Sequence, residues 1–432
     1  MVTSDAREVV DVLIVGAGAA GLTAGIFALQ ARPGAKVLLL DGARKVGAKI
    51  LVAGGGRCNV THFQTTPKDY NAASSGFVKN VLKSFTADDT KRWMQSLGVE
   101  LKREPTGKLF PITDQARTVL DALLNRLAEL GGELRTDCRV RAVRKDGEIF
   151  VVDSYGGTFR ARKLILCTGG RSLPKTGSDG GGYELVKSLG HTVDDQHPAL
   201  VSMTLQQHFC HADLAGISHH VEITTSAGDR PIDRRSGNLL WTHFGVTGPV
   251  VMDASRHWLS SKLAGGKPTW TVNLLPGTTP EQLEAWLLAA VANRPTVSLR
   301  RLLQELEPAG AIEPLPLPAK VIDAALGLGE VDGGTKLSQV SKEARKRTIR
   351  MLLAMPLPVE QDRGWNHAEV TAGGVPLSEV AWRGMISRAC EGLHLAGEIV
   401  DVDGRIGGFN FQWAWATGKL AGEAAAAALA VD

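Results

Sequence analysis

The stretch VVDVLIVGAGAAGLTAGIFALQ, Val9 to Gln30, constrains this chain more than any other. It opens on an apolar run, Val9 to Val15, interrupted only at Asp11. Such a run suits a strand buried on both faces of a parallel sheet. Gly16-Ala17-Gly18-Ala19-Ala20-Gly21 follows and fits GxGxxG, a pattern that says little without its context. Here the context is complete. A helix follows with Leu22, Ile26 and Leu29 on one face, then a second apolar strand, Lys36 to Leu40, and then Asp41, twenty residues after Gly21. In that order Gly16 makes the turn, Gly18 admits a pyrophosphate and Gly21 lets helix meet strand. Asp41 accepts hydrogen bonds from ribose hydroxyls, and its charge repels a 2′-phosphate. The expected class is α/β, with a Rossmann-like dinucleotide-binding domain.

The fingerprint serves FAD and NAD alike, so the next unusual stretch matters. LVAGGGRCNVTH, Leu51 to His62, begins about ten residues after Asp41, still near the inner part of a dinucleotide. It lacks the GK[ST] of a P-loop, which argues against a nucleotide triphosphatase. One cysteine without a nearby partner is neither a metal site nor a redox disulfide. What remains is a close-approach loop whose amides and Arg57 face a bound anion or ring, or else a plain surface turn. No second GxGxxG with strand, helix and acid occurs, because Gly327-Leu328-Gly329 follows a helix. A dedicated NAD(P)H domain is therefore not expected, and NADH or NADPH enters only as a transient reductant.

Composition narrows the setting. At 432 residues, with 44% hydrophobic and 22% charged residues, the chain is an ordinary globular protein with material for a large core. The net charge of +4 neither requires nor excludes a nucleic-acid partner. Cys58, Cys138, Cys167, Cys210 and Cys390 are scattered and contain no CxxC, so a disulfide framework is not expected and a reducing cytoplasm is. No signal peptide and no membrane span are expected, since no 18-residue apolar run occurs; the Ala-rich end reads as a helix.

GAKILVAGGGRCNVTH resembles the GKKxLxSGGGRCNxTN signature of the BaiN-like flavoproteins, also called the aminoacetone oxidase or ribosomal RNA dihydrouridine synthase family. The resemblance extends along nearly the whole chain. It includes GKLFPITDQARTVLDAL (Gly107 to Leu123), KLILCTGGRSLPKTGSDGGGYELVKSLGH (Lys163 to His191) and GNLLWTHFGVTGPVVMDASR. It closes on VTAGGV (Val370 to Val375) and GLHLAGEIVDVDGRIGGFNFQWAWATGKLAG (Gly392 to Gly422). The family implies FAD, held by a Rossmann-like domain of the glutathione-reductase type, interrupted by a β-barrel domain that carries a helical insertion. The expected boundaries are 1–192 and 366–432 for the FAD domain, 193–278 and 341–365 for the barrel, and 279–340 for the helical insertion. Pro295, Pro308 and the Pro314-Pro316-Pro318 series break that insertion into helices, and Ser341 to Met355 adds another.

On this reading the cofactor lies against Gly16, Gly18, Ala19, Ala20 and Gly21, then Asp41, Gly42 and Lys49. The glycine loop adds Gly55, Gly56, Arg57, Cys58 and Asn59, and the middle of the domain adds Val140, Thr168, Gly169 and Gly170. The closing block adds Gly397, Glu398, Asp401, Gly408, Phe409 and Asn410. Glu398 and Asp401 either hold ribityl hydroxyls or cap the turn. The long helix starting near Asn410 points free amides toward the pyrimidine end of the flavin. A helix end contributes roughly 1 kcal/mol, on the order of 20 mV for a two-electron couple, so it tunes the flavin without deciding the chemistry.

Three side chains are candidates for chemistry. Cys58 is a proton donor beside the flavin or a small packing residue; His243 is an acid or anchor, or a structural histidine. Arg405 stands where the family has a tyrosine, and either greets an anionic substrate or is solvated. Ala53 replaces a family serine, and Phe409 and Phe411 replace Tyr and Leu. No metal is expected: His191, His197, His208, His211, His219 and His220 crowd one stretch without ligand spacing. Lys342, Arg345, Lys346, Arg347 and Arg350 form a solvated helix face or an RNA contact. The reaction expected is hydride transfer from reduced flavin to an activated C=C bond, in ribosomal RNA uracil or a small unsaturated ketone. The rivals are an aminoacetone-type amine oxidase using O2, and a flavin-bearing RNA-binding or structural module without turnover. Substrate, electron donor and oligomeric state are left open.

Overall fold

The computed structural model describes residues 8–310 and 315–429, so Pro314 of the proline series lies outside the described residues. The chain divides into two compact units. One takes residues up to His197 together with those from Glu369 onward; the other is Pro198–Ala368.

The first unit is a Rossmann-type domain. Its parallel core runs in the order Leu393–Leu395, Gly157–Leu166, Val9–Val15, Val37–Leu40, Glu133–Arg135. Val12 to Val15 are buried and carry a neighbour on each side, Val12 pairing with Lys163 and with Val37. An antiparallel meander, Val140–Asp146 and Ile149–Ser154, leads into Gly157–Leu166. Strand Leu393–Leu395 comes from the end of the sequence, so both ends of the chain build one sheet.

Helix Ala19–Ala31 is apolar on every side, which is how a helix covered on both faces reads. The sheet lies on one side and helix Phe409–Ala427 on the other. The two helices meet backbone to backbone. A Cβ on Gly418 would stand 2.5 Å from the Ala20 carbonyl oxygen, and one on Gly422 would stand 2.2 Å from that of Ala24. Helix Ala116–Glu129 packs beside Ala19–Ala31.

The second unit is a barrel whose closure is visible in its pairing. The strand order is Met355–Leu357, Pro268–Asn273, Ser218–Ala227, Arg230–Thr242, Gly245–Thr247, Met203–Leu205, Val359–Asp362. The first and last of these are separated by Pro358 alone, so one extended run joins both edges of the sheet and closes it. Proline has no N–H to donate to a ladder, which suits the point where a strand changes partner. Its carbonyl still accepts from Gln206 N at 3.0 Å. Trp241 and Trp270 fill the interior, and their indole N–H groups donate to His219 Nε2 and Thr225 Oγ1 at 3.0 and 2.8 Å. Helix Pro249–Leu263, absent from the sequence reading, packs against the strands. The insertion holds helices Pro280–Asn293, Leu299–Leu303 and Ala319–Leu328, followed by Lys342–Ala354.

Candidate functional site

The glycines of the fingerprint stand in two different settings. Gly16 has φ of 98°, and a Cβ there would lie 2.4 Å from the Cys167 carbonyl oxygen. A Cβ on Gly21 would lie 1.8 Å from the Gly16 carbonyl oxygen. Both positions exclude a side chain for reasons internal to the fold. Gly18 is different: a Cβ there would meet nothing within 4 Å, and its φ of −81° is open to any residue. The fold does not require a glycine at 18, so the space beside it is left for something else. No side chain caps the helix that starts there, and the amides of Ala19, Ala20 and Gly21 precede its first intrahelical bond, from Leu22 N to Gly18 O. Uncapped amides beside an empty wall form an anion cradle. Asp41 closes it from the next strand. One carboxylate oxygen accepts from Ala17 N at 2.7 Å and the other from Ala43 N at 2.8 Å, which fixes the group's orientation. Gly42 packs against Arg139, which leads into Val140 at the start of the meander. Arg139 in turn pairs with Asp179 at 2.7 Å.

The second glycine run has a backbone reason. Helix Ala48–Gly56 leaves right-handed geometry at Ala53, and Gly54, Gly55 and Gly56 have φ of 58°, 70° and 86°. Three consecutive left-handed residues are costly for anything but glycine. Their outer side is open at Gly55, where a Cβ meets nothing within 4 Å. Arg57 Nε donates to Gly54 O at 3.4 Å. It pairs with Glu104 at 2.6 Å and lies 4.0 Å over the Phe110 ring, so the sequence expectation of a guanidinium facing a bound anion gives way to a clamp on the neighbouring hairpin.

This loop is bound to the far end of the chain. Gly408, with φ of 94°, lies against it: a Cβ there would be 2.6 Å from the Thr61 carbonyl carbon and 2.8 Å from Asn59 Oδ1. Gln412 is buried and accepts from Thr61 Oγ1 and Thr90 Oγ1 at 2.7 and 2.9 Å while donating to Phe85 O. Trp415 Nε1 donates to Val60 O, Tyr70 OH to Phe409 O, and Asn71 to Asp403. Asn410 is spanned by its own turn, exchanging two bonds with Gly404. Asn59 is the exception in this dense web: its Oδ1 is buried and has no hydrogen-bond partner among the described residues.

Glu398 and Lys49, 349 positions apart, form an ion pair at 2.7 Å. Ser172 Oγ accepts from Lys49 at 2.7 Å and donates to Glu398 at 2.9 Å, and Thr371 N donates to the same carboxylate. Burial alone would raise the Glu398 carboxyl; the Lys49 charge and the bonds from Lys49 and Thr371 outweigh it and hold the group below its ordinary value. Gly170 sits in the crook of this network, where a Cβ would strike Thr371 Oγ1 at 2.3 Å and Glu398 Oε1 at 2.8 Å. Gly169, with φ of 72°, faces Ser178. Thr168 Oγ1, Ser178 Oγ and Tyr183 OH are buried without a hydrogen-bond partner among the described residues. Asp401 accepts from Gly373 N at 3.0 Å, and Gly397 N donates to Thr417 Oγ1. Ser172, Thr371, Thr61, Gln412 and Arg139 escaped the sequence reading, because only their distant partners give them a role.

The three candidates for chemistry differ in setting. Cys58 is fully buried with φ of 62°, and burial pushes its thiol up to about 12. Such a thiol stays protonated at neutral pH. Arg405 lies 3.7 Å from Asp69, whose carbonyl also accepts from the Arg405 amide at 3.0 Å. His243 belongs to the barrel unit, exposed in the turn between Arg230–Thr242 and Gly245–Thr247 and set edge-on to Phe244. Of the crowded histidines, His191 bonds Glu379 and Ser387, His219 accepts from Trp241, and His220 faces Ser236.

A family model described as HI0933-like protein Rossmann domain matches residues 10–424. The 3-dehydro-bile acid delta(4,6)-reductase of Clostridium scindens is 33% identical over 413 residues, covering 96% of this chain and 98% of that one. The ribosomal RNA dihydrouridine synthase of Escherichia coli is 32% identical over 409 residues, covering 94% and 96%. The Haemophilus influenzae protein of the same name is 30% identical, with the same two coverages.

Proposed function

The chain belongs to the HI0933-like Rossmann family, and from that premise we propose that it is an FAD-dependent oxidoreductase that reduces an activated C=C bond, in RNA uracil or in a small unsaturated ketone. The observation that carries the cofactor half is Gly18. Its neighbours Gly16 and Gly21 are glycines because the fold collides otherwise, whereas Gly18 faces empty space beside uncapped amides and an oriented Asp41. Those residues fit a dinucleotide: Ala19 and Ala20 amides toward the pyrophosphate, Asp41 toward a ribose. Asn59, with its unpartnered oxygen at the start of helix Phe409–Ala427, fits the polar edge of a flavin ring.

When bound, FAD supplies a hydride carrier, and NADH or NADPH is the proposed transient reductant. The chain's own part is to orient, to exclude water and to deliver a proton to the second carbon of the reduced bond. Cys58 is unsuited to that, since it is fully buried and out of reach of a substrate. His243, exposed in its turn, is the proposed donor. The named relatives act on a bile acid and on ribosomal RNA, and both reactions saturate a conjugated system, which supports the C=C class.

The test is anaerobic. The FAD-loaded protein, once reduced, is mixed with unmodified ribosomal RNA or with an unsaturated 3-ketosteroid. Reoxidation with a hydrogenated product by mass spectrometry is expected from one of them. Reoxidation by neither, with peroxide released from aminoacetone in air, would replace this reading with amine oxidation.

A further inference from the structure

We propose that Lys108 recognises an anionic group of the substrate, a phosphate or a carboxylate. The proposal rests on the functional reading above and deepens it. Lys108 lies on strand Lys108–Pro111, where it pairs with His62 across the ladder. Its Cε is 3.8 Å from where a Cβ on Gly407 would stand, so its stem lies along the glycine turn that opens helix Phe409–Ala427. His62 is stacked on Phe409, the first residue of that helix, at 4.9 Å.

The side chain is half-buried, and among the described residues nothing engages its ammonium. That is not for want of acids. Glu104 is held by Arg57 at 2.6 Å, and Asp114 by Lys102 and Arg57. Asp69 accepts from Thr66 N and Thr66 Oγ1 at 2.8 Å each and pairs with Arg405. The stem is the part that packs, against the glycine turn, and the ammonium at its end has no counter-charge there. The uncapped N-terminus of a 19-residue helix beside it adds positive potential. Asn59 Oδ1, buried and unpartnered, marks the same helix start as incomplete. A bound anion relieves the first two of these.

Arg405, the residue that the sequence offered for this role, pairs with Asp69 at 3.7 Å, whereas no acid among the described residues pairs with Lys108. Both named substrates fit the chemistry, since RNA carries phosphodiesters and a bile acid carries a carboxyl group.

The holoenzyme is titrated with uridine 5′-monophosphate against uridine, and with a carboxylated against an uncarboxylated 3-ketosteroid, following the visible absorption of the bound flavin. In the unaltered protein the anionic member of one pair binds about ten- to a hundredfold more tightly, the range for a hydrogen bond to a charged group. Preference in the first pair assigns phosphate; preference in the second assigns carboxylate. Lys108→Met abolishes that preference while flavin content, melting temperature and binding of the neutral member hold, and Lys108→Arg retains part of it. A Met variant that keeps the preference, or an unaltered protein that shows none in either pair, overturns the proposal. A protein that takes up no FAD overturns the functional reading beneath it, and that failure is seen before any ligand is added.

Discussion

The three glycines of the fingerprint make opposite predictions, which is what separates a cradle from a mere turn. Gly21→Ala puts a methyl 1.8 Å from the Gly16 carbonyl oxygen and is expected to destabilise by about 1–3 kcal/mol or more, with cofactor lost as a consequence of unfolding. Gly18→Ala meets no atom of the chain, and its φ suits alanine, so the apoprotein's denaturant midpoint stays within about 1 kcal/mol of the parent or rises while FAD uptake fails. Equal FAD content in the Gly18→Ala protein would show that the space beside residue 18 is not where the pyrophosphate lies. Cys58 gives a pH prediction. Its thiol is raised from 9.0 to about 12 by burial, so the folded state holds a proton that the unfolded chain releases first. The stability this contributes is complete below pH 9 and is lost as the pH rises toward 12. Cys58→Ala should flatten that alkaline decline in urea midpoints, and an unchanged slope would contradict the buried, protonated thiol.

Among elements, the crossing of Ala19–Ala31 with Phe409–Ala427 matters most, because it joins the first and last parts of the chain. Gly422→Ala would place a methyl 2.2 Å from the Ala24 carbonyl oxygen and is expected to cost about 1–3 kcal/mol in equilibrium unfolding; a neutral result would mean that the helices stand further apart. Strand Leu393–Leu395, at the same seam, carries buried His394, whose Nδ1–H donates to Gly384 O at 2.8 Å. Burial lowers its pKa from 6.5 to about 4, so the unfolded chain takes up a proton that the folded one refuses. Stability from this group is complete above pH 6.5 and is lost as the pH falls toward 4. His394→Asn should lose less stability than the parent across that window. Much at this scale was legible beforehand. The strand, turn, helix and acid of the fingerprint follow local rules of φ, clearance and apolar spacing. The barrel's closure through Pro358 and the helix Pro249–Leu263 were not, since nothing local distinguishes one strand with two partners from two strands.

For the whole molecule, a Rossmann sheet completed by the end of the chain and interrupted by a closed barrel follows from blocks that could be ordered along the sequence. The contacts that make the site could not be ordered that way. Lys49 with Glu398, Thr61 with Gln412 and Val60 with Trp415 join residues more than three hundred positions apart, and each partner alone reads as an ordinary polar or aromatic residue. Arg57 shows the converse: its neighbours in sequence suggested an anion, and its neighbours in space, Glu104 and Phe110, supply the partner instead. On the proposed function, these long-range bonds hold the two ends of the chain around one FAD. The most direct measurement is the cofactor content of the freshly purified protein, by visible absorption and by chromatography of what acid releases. The expected result is a yellow protein with one FAD per chain, or a colourless one that takes up one equivalent and melts at a higher temperature with it. A protein that is colourless, binds no added FAD and melts at the same temperature with or without it contradicts the account.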